Sequence, residues 1–400
     1  MTRIIQALFM ALALAVPGWA HAISHTFCFT YTVAYEDGAT GDFFDPSVYA
    51  ARGATFRIIR NSNSDTFDFT LLESNGCKTI NLNAEAWTVK LLRTAEVNGN
   101  TVEVRSHIDD GLFLTTVETS WVPDGGTDVW TIGDGTVGNI NIMAVATYAI
   151  YTENGGMTGK TYSFRNDVDP CPTAAGCWAV TTNTINIGSS LFDRKFGILH
   201  ELGHAMSDKV NGSQGLNADC DAPPNACEGV GDSSGDGHYP DTKEFQSCAA
   251  IEGIAWAYAA VVFNDTSTSP CEFQTHFEPD WDQDDVNDAA EVEVFGCEGQ
   301  PITGELGADY LGDRCLGSGA TTNRGNEFDW IRHYWDLRTD GPFAWSTLLA
   351  QWALADAHDW TANGTGSGGN FPAERLHDAA FWVGIQATYD SFGSFNGVDR

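Results

Sequence analysis

The periodicity of apolar residues changes near residue 135, and this change most limits the folds open to the 400-residue chain. Between residues 25 and 122, apolar and polar residues alternate in short runs such as HTFCFTYTVAY and WTVKLLRTAEV, separated by Gly, Asn and Asp. Alternation with a period of two is typical of half-buried strands, and strands at this spacing predict an all-β sandwich. Beyond a glycine-rich stretch that ends at Gly138, longer apolar segments indicate helices.

The sequence therefore predicts an α+β protein with two domains. An all-β, sandwich-like accessory domain covers residues 23–135, and a mainly helical domain with a small edge sheet covers 136–400. In the second domain, NIMAVATYAIY predicts a helix, CWAVTTNTINIG predicts a strand, and Ser189-Ser190 with Asp193 predicts the start of the next helix. Further helices are predicted over residues 245–263, 327–338, 342–357 and 373–392.

Residues 1–22 have the organisation of a secretory signal peptide. Arg3 precedes an apolar core over residues 4–16, and Ala20-His21-Ala22 supplies the small-x-small end, so we expect cleavage before Ile23. No later apolar run reaches the roughly 18 residues that a spanning helix needs. The expected location is the cell exterior or the periplasm.

Ten cysteines follow the predicted signal peptide, and none of them forms a Cys-x-x-Cys pair, so disulfides are expected. Cys171–Cys177 and Cys220–Cys227 each bracket a short loop that contains proline, which makes them the favoured local pairs. Cys28–Cys77 is the natural third pair within the N-terminal region. The sequence leaves four cysteines unassigned: Cys248, Cys271, Cys297 and Cys315.

Acidic residues outnumber basic ones 54 to 20, which gives a formal net charge of −34. A surface of this charge repels phosphate backbones and anionic lipids, and this argues against nucleic acid or membrane as partners. The simplest role of the charge is to keep the protein soluble.

The stretch FGILHELGHAMSD contains the residues that indicate the class of function. On a helix, His200 and His204 lie one turn apart on the same face, so both imidazoles can reach one zinc ion at about 2.0–2.1 Å. Glu201 is rotated by about 100°, which places its carboxylate beside the ion, as a general base for zinc-activated water requires. The alternative is an ordinary helix that carries two histidines. The fixed His-Glu-x-x-His frame favours the metal site.

A third metal ligand has to come from elsewhere in the chain. The metzincin pattern would continue with Gly and His, but Ser207 and Val210 occupy those positions. Glu252 is the only charged residue in the apolar segment CAAIEGIAWAYAA, and metal ligation would remove the cost of burying its carboxylate. Ligation by Glu244 or Glu228, with Glu252 facing solvent, is the alternative.

Taken together, HELGH at 200–204 and EGIA at 252–255 resemble the paired motif of the gluzincin zinc metallopeptidases. HELGHAMSD is similar to the corresponding helix of thermolysin, and FDWIRHYWDLRT is similar to a Trp-Asp helix of many secreted members. The resemblance covers roughly residue 139 to the C-terminus. It implies a zinc-dependent hydrolase of peptide bonds, with a cleft between an edge-strand subdomain and a helical subdomain.

The chain departs from these peptidases in three respects. An acidic, disulfide-containing insertion at about 209–243 lengthens the separation between His204 and Glu252. Trp256 stands where thermolysin has the aspartate that orients one histidine. The Gly-x-Met-Glu-Asn motif of the aminopeptidase branch is missing, which favours an endopeptidase. We expect a peptide substrate to lie extended along the TNTINIG strand.

Three other motifs fall in or near loops. GDSSG at 231–235 fits a nucleophile elbow but lacks the flanking strand and helix. GGMTGKT resembles a phosphate loop, but Asn154 occupies the position of that motif's first glycine. DSSGDG at 232–237 resembles the start of a calcium loop, which makes Ca²⁺ a second candidate ion. Lys243 stands where such a loop needs its twelfth-position carboxylate.

Two His-Tyr pairs, His238-Tyr239 and His333-Tyr334, are candidate hydrogen-bond donors to the oxyanion of a peptide hydrolysis reaction. Such a pair is more often structural than catalytic. The predicted function is a secreted zinc endopeptidase that acts on proteins or peptides, with Glu201 as its base. The alternative is a secreted binding or adhesion protein that keeps a structural zinc site without turnover. Glu201 argues against this alternative, because a structural site has no use for a base.

Overall fold

The computed structural model describes fifteen segments of the chain: residues 22–32, 48–106, 113–133, 138–166, 176–179, 181–188, 191, 195–210, 244–264, 266–267, 272–276, 292–296, 324–325, 327–356 and 371–395. Within them the protein is α+β, with an N-terminal β-sheet region followed by helices and small sheets, which confirms the predicted fold class.

The N-terminal strands are β1 (Ile23–Thr32), β2 (Val48–Ala50), β3 (Ala54–Arg60), β4 (Thr66–Thr70), β5 (Cys77–Leu82), β6 (Trp87–Val97), β7 (Asn100–Ser106), β8 (Phe113–Trp121) and β9 (Thr127–Gly133). The chain continues through α1 (Asn139–Thr152), β10 (Thr161–Asn166), β11 (Gly176–Ala179), β12 (Thr184–Ile187), α2 (Lys195–Val210), β13 (Glu244–Phe245) and α3 (Gln246–Phe263). The last elements are β14 (Glu272–His276), β15 (Val292–Gly296), β16 (Arg324–Gly325), α4 (Glu327–Thr339), α5 (Trp345–Asp356), α6 (Phe371–Trp382) and α7 (Gln386–Phe395).

The smaller of the two N-terminal sheets is built around β1. β9 pairs with β1 in parallel, while β2 and β5 pair with its other edge in antiparallel fashion. Alternate residues of β1 point toward the larger sheet, where Phe29 stacks on Phe56 of β3 at a ring-centroid distance of 3.7 Å. Cys28 and Cys77 lie opposite each other in the β1–β5 register and form a disulfide, the pair expected from the sequence.

The larger sheet has the strand order β11-β12-β10-β7-β6-β3-β4, and β8 also pairs with β6. β10 pairs with β7 in parallel, from Thr161 opposite Thr101 to Asn166 opposite Ser106. The sheet therefore runs across residue 135, where the sequence predicts a domain boundary. The division into two domains stays a prediction.

The helices pack closely where small residues meet. A Cβ atom on Gly203 of α2 would lie 2.7 Å from the Cα atom of Ala255 on α3, and a Cβ on Gly253 would lie 2.3 Å from the Cβ of Trp330 on α4. Any larger residue at either glycine would push the helices apart, which costs free energy in a close-packed core. These two contacts hold α3 between α2 and α4.

The helices predicted from the sequence are found, with one correction. A single helix over 373–392 is wrong: α6 ends at Trp382, Gly384 adopts φ of 80°, and α7 begins at Gln386. A left-handed glycine ends an α-helix, and the apolar pattern on either side of Gly384 hid this break. Ser189, Ser190 and Asp193 lie outside the described residues. No helix of the described segments has the length and apolar character needed to cross a lipid bilayer.

Candidate metal centre

Two helices supply the centre of the site. His200, Glu201 and His204 lie in the middle of α2, and Glu252 lies in the first half of α3. Since His200 and His204 are four residues apart, their side chains project from one face of α2. The close approach at Gly203 brings α3 against that face, so the carboxylate of Glu252 reaches both imidazoles.

Three side-chain atoms converge within the site. The Nε2 atoms of His200 and His204 are 3.0 Å apart, and Oε2 of Glu252 lies 3.0 Å from the first and 2.9 Å from the second. The three side chains are 9%, 14% and 9% exposed, respectively, so the cluster is largely shielded from solvent. In the segments that the structure describes, this is the one group of three His, Cys, Asp or Glu residues with the spacing of metal ligands.

The donor set suits a metal cation better than hydrogen bonds alone. A hydrogen atom lies between two atoms, whereas each of these three atoms is close to both of the others. A cation accepts one lone pair from each of them. In tetrahedral zinc sites with bonds of about 2.0–2.1 Å, neighbouring ligand atoms are about 3.3 Å apart, so the present separations need to widen by only a few tenths of an ångström. The triad therefore fits a divalent metal ion such as zinc.

Glu201 is next to the triad in sequence but is not one of its members. The residue is 6% exposed, and its side chain lies against the start of β11. A Cβ atom on Gly176 would come within 2.9 Å of Oε1 of Glu201 and within 3.0 Å of its Cγ. The absence of a side chain at Gly176 thus makes room for the carboxylate. Sequence analysis missed Gly176, whose only signal is a glycine at the start of a strand.

Trp256 forms one wall of the site. It lies one helical turn after Glu252 on α3, and its ring centroid is 4.2 Å from that of His200, with an angle of 41° between the planes. The sequence singled out Trp256 only because it departs from the thermolysin pattern. The structure shows that its indole packs directly on one of the candidate ligands.

The second His-Tyr pair occupies the helical core. His333 and Tyr334 of α4 are both fully buried, and the hydroxyl oxygen of Tyr334 accepts a hydrogen bond of 2.7 Å from Nε1 of Trp352. Burial lowers the pKa of His333 to about 3, which keeps its imidazole neutral. A role of this pair at the oxyanion stays a prediction.

Several predicted positions lie outside the described residues. They are His238 and Tyr239, the candidate calcium loop from Asp232 to Lys243, Glu228, and the cysteines Cys171, Cys220 and Cys227. Cys177 is disulfide-bonded, as expected from the sequence, but its predicted partner is among these positions. Glu244, the other alternative ligand, lies in β13, where its backbone pairs opposite Gly325.

The strand next to the site differs from the one that the sequence suggested for substrate binding. β12, the TINI segment of TNTINIG, lies between β10 and β11 and is hydrogen-bonded on both of its edges. A peptide cannot pair with a strand whose edges are both occupied, so that prediction is wrong. Among the described strands β11 lies at the end of the order instead, and its first residue is Gly176, which lies against Glu201.

The chain matches no family model, and no curated protein and no solved structure is significantly similar to it. The class of site is therefore defined by the geometry of the chain itself. It is a buried His-x-x-x-His plus Glu triad in a helical region, with a buried glutamate, Glu201, that follows the first histidine in the sequence and is outside the triad.

Proposed function

We propose that the protein is a secreted zinc-dependent endopeptidase of the gluzincin type. One observation carries the proposal: the buried side chain of Glu201, which directly follows the candidate ligand His200 but is outside the triad, lies against β11, the outermost of the described strands of the sheet. A structural zinc site needs ligands only. A buried glutamate that directly follows the first ligand of a His-Glu-x-x-His helix and stays outside the ligand set is a candidate general base.

His200, His204 and Glu252 would hold the zinc ion, a set of two histidines and one glutamate that leaves a fourth position open. Zinc supplies a Lewis acid that polarises the scissile carbonyl and makes water more acidic. Glu201 accepts the proton of the attacking water on a carboxylate oxygen. The same oxygen then returns the proton to the nitrogen of the leaving amine.

The outer edge of β11 supports a peptide as the substrate class. An extended peptide can add to a sheet edge through main-chain hydrogen bonds, and this edge passes beside Glu201. Residues on both sides of the scissile bond would then be bound, which suits an endopeptidase. The disulfide between Cys28 and Cys77 and the predicted signal peptide support action in an oxidising compartment outside the cytoplasm.

The test compares residues 23–400 with the variant Glu201→Ala, both produced under disulfide-forming conditions and analysed for bound zinc. Cleavage is then measured on a library of denatured proteins. We expect one equivalent of zinc in both proteins and a loss of at least about three decades of turnover in the variant, because one residue serves as base and acid. Glu118→Ala, which removes an exposed glutamate from β8, is the control for the charge change.

Full activity of Glu201→Ala would assign the chemistry to another residue and contradict the proposed mechanism. A wild-type protein that binds zinc but cleaves nothing would favour the binding or adhesion protein with a structural zinc site. A wild-type protein without zinc affinity would refute both functions.

A further inference from the structure

We propose that Trp256 is a positioning residue, which holds the imidazole of His200 in its metal-binding orientation and raises the affinity of the site for zinc. This inference rests on the proposed zinc site but not on the reaction that the site performs. It assigns a role to a side chain that neither the metal ligands nor the base requires.

The geometry shows how the ring is held. The imidazole of His200 meets the ring of Trp256 at 4.2 Å and 41°, and it meets the ring of His204 at 4.5 Å and 87°. The imidazole of His200 therefore contacts two rings, one tilted and one nearly perpendicular to its own plane. Rotation of the imidazole away from Glu252 would require the indole to move as well.

The position of Trp256 on α3 brings its indole against the imidazole of His200. Trp256 follows Glu252 by four residues on α3, so the indole and the Glu252 carboxylate project from the same face of that helix. The tight contact between Gly203 and Ala255 sets the distance between α2 and α3. One helix thus provides both a ligand and the ring that orients a second ligand.

Electrostatics makes the contact stronger in the metal-bound state. An imidazole that donates its lone pair to a dication becomes electron-poor, and the face of an indole carries negative partial charge. The attraction between the two rings is therefore larger with zinc than without it. A contact that is stronger in the bound state raises affinity, and a ring that is already oriented loses less entropy on binding.

The test measures zinc affinity against a competing chelator in the full mature chain. We expect Trp256→Leu, which keeps an apolar side chain but removes the aromatic ring, to weaken zinc binding by about tenfold, within the range known for groups that support metal ligands. Trp256→Phe retains a smaller ring and should lose only about threefold. Trp382→Phe is the control, since Trp382 is 73% exposed on α6.

Tryptophan fluorescence tests independently whether the indole of Trp256 lies beside the bound ion. Co²⁺ quenches nearby indoles, so it should quench the wild type and Trp382→Phe to a similar degree. Trp256→Phe should lose most of this quenching, because Trp256 is the indole that contacts a ligand. If Trp256→Leu does not fold, as judged by circular dichroism, Trp256→Phe carries both measurements.

Wild-type zinc affinity in both Trp256 variants would overturn the inference and leave the proposed peptidase intact. Unchanged Co²⁺ quenching in Trp256→Phe would also overturn it, because the indole would then lie away from the ion. A wild-type protein that binds no zinc would end both the inference and the proposed function.

Discussion

The protein buries histidines next to carboxylates in both its N-terminal sheets and its helical region, but the two arrangements differ in direction. His25 of β1 has Asp124 3.4 Å from its Nδ1 atom and Asp128 3.3 Å from its Nε2 atom, on opposite sides of the ring. In the helical region, two Nε2 atoms and one carboxylate oxygen face each other. Both arrangements combine imidazoles with carboxylates, yet of the two it is the second that brings lone pairs to one point.

The direction of the lone pairs distinguishes an ordinary contact between histidine and carboxylates from a candidate metal site. The imidazole of His25 has one carboxylate near each ring nitrogen, that of Asp124 in the segment between β8 and β9 and that of Asp128 in β9. The carboxylate of Asp128 also accepts a hydrogen bond of 2.5 Å from Nε1 of Trp121. The proximity of histidine to acidic residues therefore does not identify a metal ligand. The convergence of their lone pairs does.

The buried His333 sharpens the comparison, because among the described residues neither of its ring nitrogens has a hydrogen-bond partner. Burial lowers the pKa of His333 from 6.5 to about 3. Between these two pH values the unfolded chain binds a proton at this histidine and the folded protein does not. The contribution of the neutral, buried His333 to the free energy of unfolding is therefore fully present above pH 6.5 and is lost as the pH falls toward 3. The expected loss is about 1.4 kcal/mol per pH unit within this window.

The measurement is urea unfolding of wild type and His333→Phe at pH 6.5 and 4.5. We expect the wild type to lose about 2 kcal/mol more than the variant between these two values, because the variant has no group to protonate at this position. His333→Gln serves if the phenylalanine does not fit. Equal losses in wild type and variant would mean that His333 reaches solvent or a proton donor.

The second prediction compares one carboxylate from each region. Glu252→Gln should weaken zinc affinity by at least tenfold, since a neutral amide replaces an anionic oxygen on a dication. Asp128→Asn makes the equivalent change beside His25 and should leave zinc affinity unchanged. Titration of both variants with zinc tests this, with Glu244→Gln and Glu228→Gln as further comparisons. A selective loss in any of the three comparison variants would place the third ligand elsewhere.

The third prediction, with the smallest expected effect, is a loss of turnover when the space that Gly176 leaves for the Glu201 side chain is filled. In Gly176→Ala the new Cβ would lie within 3.0 Å of Glu201 and of Leu191, and both side chains can yield at their flexible ends. We expect turnover to fall by roughly fivefold to tenfold, as a small misplacement of a catalytic group does, with zinc affinity unchanged. Gly133→Ala is the matched control, because its Cβ would meet nothing within 4 Å. A loss of zinc from Gly176→Ala would show that β11 supports the ligands rather than the base.

The triad could be predicted from the sequence because its signals are local. His200 and His204 are one helical turn apart, and Glu252 stands alone in an apolar helix, so periodicity and the cost of burying charge sufficed. The position of β12 could not be predicted in this way. A short apolar strand has the same pattern whether it lies inside a sheet or at its edge, and the strand order depends on pairing between distant segments.

Gly176, beside the site, and His333, in the helical core, also could not be assigned from motifs in the sequence. A glycine at the start of a strand does not reveal that a carboxylate from α2 packs against it. The His333-Tyr334 pair has the composition of a catalytic pair, but it shares α4 with four buried neighbours in its apolar stripe: Trp330, Ile331, Trp335 and Leu337. Helical periodicity alone would have assigned it to the core.

The parallel pairing of β7 with β10 has a consequence for any attempt to produce the metal-binding part separately. A chain begun at residue 136 would keep β10, β11 and β12 but would uncover the edge of β10 that β7 occupies along six residue pairs. An uncovered strand edge is a template for intermolecular association. Such a fragment is expected to precipitate or to form soluble aggregates during expression, which would be mistaken for poor yield rather than recognised as a missing neighbour strand.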